Sequence, residues 1–421
     1  MYGIAPHVGG VGIGRVTRTL GDLLTAALPA ARVGDGVRVH AASGVLRGHV
    51  TAVDAGRVVV APFGGLAGVA VGDRVETSPD ALATILGYGA LGRAFDAMGT
   101  PLDGRAALRG TAVRVGEHTA LAQRLAVTAA FWTGVRALDG LLTIGRGARV
   151  GIFGAPGAGK TTLLETIARG ARGDAIVVAL VGERGREAAG WLRRVDARTT
   201  VVCATADRPA SERARAADVA MAQAETLRDR GLHVVLIVDS LARYAVALRE
   251  QRSALGEPVG RGGYAPAVLA ALGRYLERAG VAPHGSITVL ASVLSDGADE
   301  REPLSDAARA ALDGHVALSL DLARAGHFPA IDVLASASRT MGDVAGDAHQ
   351  ADAQIVRAAL ALLADTRDLR LLGLANAHDA TLARAISAEP DIRGFLAQQE
   401  PSNPEATLGE LARVAALLRG C

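Results

Sequence analysis

Up to about Pro79 the chain sets short apolar, β-branched runs against glycine punctuation, at 37–40, 48–53, 57–61 and 69–75. Runs this short at this spacing predict the strands of a small barrel. From Leu82 to Thr143 the pattern is mixed, with turn signals at 99–101 and 103–104, and reads as a segment joining the barrel to a core. Beyond Arg149, apolar runs at 175–181, 200–204, 234–238, 286–291 and 316–320 alternate with stretches of helical period. That alternation predicts a mostly parallel sheet with helices on both faces. From Asp347 the helical period takes over, at 355–363, 380–386 and 408–418. The expected organisation is an N-terminal β-barrel over 1–80, an α/β domain over 81–346 that includes the joining segment 81–143, and a small helical domain over 347–421.

At the head of the α/β region a glycine-rich turn, GAPGAGKTT at 154–162, follows the apolar Val150, Ile152 and Phe153 and precedes Leu163, Leu164, Ile167 and Ala168 at helical spacing. Gly154, Gly159, Lys160 and Thr161 fill the fixed positions of GxxxxGK[ST], the Walker A P-loop, in the strand–turn–helix context the motif needs. The fold class expected is therefore a P-loop NTPase core. Glycines, Gly157 among them, let the backbone aim its amides at phosphate oxygens, and the helix N-terminus adds about half a positive charge there. Lys160 would reach the β- and γ-phosphates of ATP, the Thr161 hydroxyl would ligate Mg²⁺, and Thr162 would complete the cradle. Pro156 removes one donor, at a variable position of the motif.

Hydrolysis also needs an acid that supports the metal and a group that positions water. HVVLIVD at 233–239 is an apolar run ending in an acid, the Walker B form, which puts Asp239 beside the metal at the carboxyl edge of the sheet. Alone, such an ending is commonly a turn or a helix cap, and its place after a P-loop favours the metal role. VGERGRE at 181–187 puts Glu183 at the end of another apolar run, where a carboxylate can orient or deprotonate the attacking water. The other reading of Glu183 is an N-cap or a solvated acid of the following helix.

Composition adds exclusions. Charged residues make up 21% with a formal net charge of +2, which provides no strong electrostatic argument for nucleic acid or an anionic membrane. Aromatics at 3% leave little for base-stacking platforms. The two cysteines, Cys203 and Cys421, form neither a disulfide framework nor a metal-ligand spacing. No apolar run approaches the roughly 18 to 20 residues of a membrane span, and 1–14 lacks the regions of a signal peptide. A soluble cytoplasmic protein is expected.

Together, VGERGRE, the P-loop, VDSLARYA, GEPVGRGGYAP, LDGHVALSLDLA and HFPAIDVLASASR resemble the ATPases of type III protein secretion systems and the flagellar export apparatus, relatives of the catalytic subunits of rotary ATP synthases. The likeness extends into the first domain through GRVTRTLGDLL, APFGGLAGVAVGDRV, LGRAFDAMGTPLDG and TGVRALDGLLTIGRG, and covers roughly residues 11–345 in order. It implies an ATP hydrolase with Lys160 and Thr161 on phosphates and Mg²⁺, Asp239 supporting the metal, and Glu183 as the catalytic glutamate. Arg184 matches an arginine that contacts the γ-phosphate. Phe328 matches the aromatic that packs on adenine, with plain core as the other reading. Arg339 matches an arginine finger given to the neighbouring subunit's nucleotide, with a local ion pair as the other reading.

A shared site implies a homo-hexamer. The family also implies stator and central stalk proteins, chaperone–substrate complexes, and an export gate reached peripherally at the inner face of the membrane. Glu257, Arg261 and Tyr264, with the acidic run 296–302, match loops that face the ring's centre, although solvated loops are the common reading of such runs. The sequence departs from the family in a short N-terminus, in SDGADERE, and in a C-terminal stretch that lacks a GEY-type turn. A non-catalytic rotary subunit typically has glutamine at the position of Glu183, and an RNA-translocating ring needs an aromatic platform where only Tyr2 and Phe63 stand. The enzyme reading is preferred, with a slight leaning to the non-flagellar system.

Overall fold

The computed structural model describes residues 12–115, 125–294, 303–372, 374 and 379–419. The acidic run 296–302, Tyr2 and the rest of the first eleven residues, Cys421, and residues 373 and 375–378 of the altered C-terminal stretch lie outside the described residues.

Six strands come first: β1 (Ile13–Leu20), β2 (Leu23–Ala27), β3 (Gly36–Ala41), β4 (Gly44–Asp54), β5 (Arg57–Phe63) and β6 (Arg74–Thr77). They close into a barrel in the order β1-β2-β5-β4-β3-β6, each neighbouring pair antiparallel. Residues two apart, such as Val37 and Val39 or Val58 and Val60, fill its interior with Val16, Leu24 and Val50, as the period of a strand requires. Gly14 admits no side chain, since a Cβ there would lie 1.7 Å from the Ala27 carbonyl oxygen.

The hydrophobic pattern misses β1 and β2. In β1 only Val16 is buried, and the register shifts between Val16 and Arg18, so the alternation is broken by a bulge. The expected run 69–75 is corrected as well. Its first part is a turn, in which Ala70 N donates to Asp73 Oδ2 at 2.8 Å and Gly72 has φ +98°, and only the following residues form β6.

The chain continues through β7 (Ala83–Leu86), β8 (Ala94–Asp96), β9 (Thr111–Arg114), β10 (Ala130–Phe131), α1 (Arg136–Leu141), β11 (Ile144–Gly145), β12 (Arg149–Gly154), α2 (Lys160–Gly170), β13 (Ala175–Glu183), α3 (Gly185–Leu192), β14 (Thr199–Thr205) and α4 (Ala210–Arg228). It goes on with β15 (His233–Asp239), α5 (Leu241–Ala254), α6 (Pro266–Glu277), β16 (Gly280–Val281), β17 (Ser286–Leu294), α7 (Pro303–Ala311), β18 (Gly314–Leu318), α8 (Leu320–Arg324), β19 (Ile331–Ser338) and α9 (Met341–Val344). Last come α10 (Asp347–Asp365), α11 (Arg367–Leu371), α12 (Ala380–Leu396) and α13 (Pro404–Arg419).

The chain divides into two compact units, Met1–Thr119 with Ala179–Gln223 and Arg243–Leu269, and Ala120–Val178 with Ala224–Ala242 and Ala270–Cys421. In the first, the end of β13 is followed by β14 and then by β8, which runs parallel to β14. The barrel is stitched to the segment after it by two arginines. Arg47 of β4 donates to the carbonyls of Ala81, Ala83 and Met98. Arg215 of α4 donates to those of Leu82 and Ala97 and lies 4.6 Å over the Phe63 ring.

In the second unit the strand order is β19-β18-β12-β17-β15, then the start of β13, with β12, β15, β17 and β18 parallel and β19 antiparallel to β18. The expected strand 316–320 is Gly314–Leu318, because Ser319 Oγ accepts from Leu322 N and caps α8. Helix α12 runs on past the expected 380–386, through Pro390, since burial of Ile392, Phe395 and Leu396 holds its second half against the neighbouring helices.

Candidate nucleotide site

In the second unit, β12 ends at Gly154 and α2 begins at Lys160, with a loop between them whose Gly157 and Gly159 have φ of +84° and +92°. A side chain would strain both positions, which explains glycine there. Lys160 Nζ donates to the carbonyls of Gly154 at 2.6 Å and Ala155 at 2.9 Å, so its ammonium sits within the loop. Thr161 Oγ1 donates to Asp239 Oδ2 at 3.3 Å, while Thr162 is exposed.

Asp239, 4% exposed at the end of β15, also accepts from Ser292 Oγ at 2.6 Å. Ser292 was not read from the sequence. It stands on β17, which pairs with both β12 and β15, and the register sets it opposite Ile152 and next to Ala291, the partner of Val238. The available signal was one of three hydroxyls, with Ser286 and Thr288, in the otherwise apolar run SITVLASVL. Two hydroxyls and a carboxylate are hard oxygen donors, a set that fits Mg²⁺, which binds few protein oxygens and keeps several waters.

Phe328 is 47% exposed, which removes the plain-core reading. Its Cε1 comes within 3.9 Å of where a Cβ on Gly159 would stand, so the ring borders the P-loop. With Arg136, Gly326 and 397–400 it lines a cavity of about 480 Å³. Arg339, just past β19, is exposed and makes no ion pair among the described residues. Its backbone N–H donates to the Asp313 carbonyl, and it shares a cavity of about 590 Å³ with Asp313 and Arg149. Arg149 opens β12 and Gly154 closes it, so Arg339 is placed roughly a strand length, about 17 Å, from its own P-loop.

In the first unit, Glu183 ends β13 and is 5% exposed. Arg243 Nε lies 3.0 Å from Glu183 Oε1, and Arg243 also donates to the Gly182 carbonyl, where φ is +66°. The Glu183 hydrogen bond, then the positive charges of Arg243 and Arg184, hold the Glu187 carboxyl below its ordinary range against a desolvation push upward. Glu183 is therefore neither a solvated acid nor the cap of α3, whose N-cap is the exposed Arg184 with no side-chain bond. Arg243 stands within VDSLARYA but its pairing with Glu183 spans 60 residues of sequence and was not legible there.

The loop 257–264, expected to face the ring's centre, is anchored within its own unit at two points. Glu257 is held by Arg252 at 2.7 Å, and Tyr264 is buried with the Arg249 guanidinium 5.3 Å over its ring. Arg261 alone of the three is exposed.

A glycine cradle closed by a lysine, with a hydroxyl and a strand-end carboxylate held together beside it on a parallel sheet, defines a P-loop nucleoside triphosphatase. Residues 134–338 match the ATP synthase alpha/beta family, nucleotide-binding domain. Over 413 residues the chain is 41% identical to the Type 3 secretion system ATPase of Sinorhizobium fredii (strain NBRC 101917 / NGR234), a match covering 95% of this chain and 92% of that protein. It is 39% identical over 421 residues to the Flagellum-specific ATP synthase of Pseudomonas aeruginosa, covering 97% and 93%. The solved structure of the assembled ATPase EscN from the enteropathogenic E. coli type III secretion system superposes with a TM-score of 0.89 at 36% identity, over 96% of this chain and 100% of that one. EscN in complex with its central stalk EscO gives 0.86 at 37% identity, with the same coverage. The chain belongs to the family of type 3 secretion system ATPases and flagellum-specific ATP synthases. Among the described residues, no helix is long and apolar enough to cross a membrane.

Proposed function

We propose that this chain is the ATP hydrolase of a type III protein secretion apparatus. It works as a homo-hexamer that turns ATP into ADP and phosphate to drive chaperone release, unfolding and export of secreted proteins. The observation that carries the shared site is the placement of Arg339, exposed and a strand length from its own P-loop. A cation so placed serves a neighbour's nucleotide.

Lys160 exchanges its loop carbonyls for the β- and γ-phosphates. Thr161 and Asp239, the latter steadied by Ser292, hold Mg²⁺, which neutralises phosphate charge when bound. Glu183 orients the attacking water, Arg184 contacts the γ-phosphate, and Phe328 packs on adenine at the P-loop. Gly154, Gly157 and Gly159 shape the cradle, and Thr162 follows it at the mouth of α2. The organisation has boundaries near residues 80 and 346. A central stalk protein is the expected partner, as EscO is for EscN. Stator, chaperone–substrate complexes and a peripheral position at the inner face of the membrane complete the reading.

Flagellar export is the second reading, supported by the Pseudomonas relative; deleting the gene and scoring motility against secretion of non-flagellar proteins separates the two. For the enzyme, ATP hydrolysis is measured against protein concentration with oligomer mass recorded on the same samples. Turnover is expected to rise more than linearly, and Arg339→Ala to lower it by about 10³-fold or more with the oligomer intact, the scale of a trans arginine. Strict proportionality down to monomer would end the shared-site reading.

A further inference from the structure

Taking Phe328 as the base platform, we propose that Gln398 is the positioning residue of the base site, tying that platform to the helix that follows the P-loop. Its backbone N–H donates to the Phe328 carbonyl at 2.8 Å. Its side-chain Oε1 accepts from Arg136 N at 2.8 Å, and Nε2 donates to the carbonyls of Gly134 and Glu400, both at 2.6 Å. A backbone donor on one side of the amide and two carbonyls on the other leave one orientation that satisfies every group.

The turn that Gln398 grips is itself braced by a buried carboxylate and by close backbone contact. Asp139 accepts from Thr133 N, Thr133 Oγ1 and Gly134 N at 2.7 to 2.9 Å. Gly134, at φ +81°, approaches Gly170 so closely that a Cβ would come 2.9 Å from the Gly170 Cα. Gly170 ends α2, whose first residue is Lys160. The phosphate cradle, the 133–134 turn, Gln398 and the Phe328 main chain thus form one continuous frame.

Phe328 itself is too exposed for packing alone to set its ring. The C-terminal helices grip the same turn: the Arg136 side chain reaches Glu410 of α13 at 3.0 Å and the Gly394 carbonyl of α12 at 2.9 Å. Base binding is in this way coupled to the helical bundle through residues 136 and 398.

The test compares Gln398→Ala, Gln398→Glu, Phe328→Ala and the double variant Phe328→Ala/Gln398→Ala in the full-length, assembled protein. Gln398→Ala is expected to raise KM for Mg·ATP roughly three- to tenfold, the scale of a hydrogen bond, with kcat changed less than about twofold. The inhibition constant of Mg·tripolyphosphate, which has phosphates and no base, stays the same. The double variant is no worse than Phe328→Ala, because the two residues act in series. Gln398→Glu keeps the acceptor for Arg136 and loses both donations; it moves in the same direction, and it stands in should the alanine variant fail to assemble.

An additive double variant, or equal weakening toward ATP and tripolyphosphate, would show a general structural role and overturn the proposal. An unchanged KM in the Gln398 variants beside a raised one in Phe328→Ala overturns the role of Gln398 alone. An unchanged KM in Phe328→Ala removes the base platform itself.

Discussion

Of the 45 basic residues in this sequence, Lys160 is the only lysine. Elsewhere arginine suffices, as in the multidentate grips of Arg47, Arg136 and Arg215. Lys160 differs because its cation reaches two adjacent carbonyls from inside a tight loop, where a compact ammonium fits and a planar fork does not. Lys160→Arg, although it conserves charge, is therefore expected to lower kcat/KM for ATP at least about a hundredfold, as loss of a pre-aimed phosphate contact does. Steady-state kinetics on the oligomer check this, and near-normal turnover would show that charge alone matters. The cradle was legible in the sequence because Gly154, Gly157, Gly159, Lys160 and Thr161 are neighbours and the rule that relates them is local. Ser292, Arg243 and Gln398 were not, because each meets its partner through strand register or a fold-back that no local pattern encodes.

Two elements carry histidines that the fold keeps neutral. His49 of β4 lies half-buried, stacked on the Phe63 ring with centroids 5.3 Å apart, and desolvation followed by the charges of Arg215 and Arg252 lowers its pKa to about 4. His233 of β15, bonded to Thr288 Oγ1 at 3.0 Å, is lowered to about 4, chiefly by burial. The unfolded chain binds these protons near pH 6.5 and the folded one only near 4, so stability is present above about 6.5 and is lost as pH falls through that window. Each histidine contributes a slope of roughly 1.4 kcal/mol per pH unit. Urea unfolding of wild type and His49→Leu at pH 7 and pH 5.5 is expected to show a smaller acid loss in the variant; equal losses would place the proton elsewhere. At this scale legibility followed periodicity. The strands β13, β14, β15 and β17 show as continuous apolar runs. The bulged β1 and the second half of α12 beyond Pro390 depend on partners distant in sequence.

For the assembled molecule, the proposed site completed in trans carries a direct test, because such a site can be rebuilt from two defective subunits. Lys160→Ala retains its arginine and Arg339→Ala retains its P-loop, so each alone is expected to be nearly inactive. Reassembled at equal ratio, their interfaces pair a sound P-loop with a sound arginine in about one case in four, and about a quarter of wild-type turnover should return. No recovery in mixed rings of confirmed composition would mean that each subunit relies on its own arginine. The order of barrel-like, alternating and helical stretches was readable along the chain, since each has its own period. The proposed ring was not, and entered through resemblance to known families.

The N-terminal barrel is closed, so every one of its six strands has both flanking neighbours supplied from within the chain. Most of its strand donors and acceptors are therefore paired internally, with the end of β1 at 18–20 paired on one side only, so a neighbour meets it chiefly through side chains and turns. Contacts of that kind form and dissolve without exchange of strands. A module of this kind leaves only a short strand edge on which misassembled copies could be trapped.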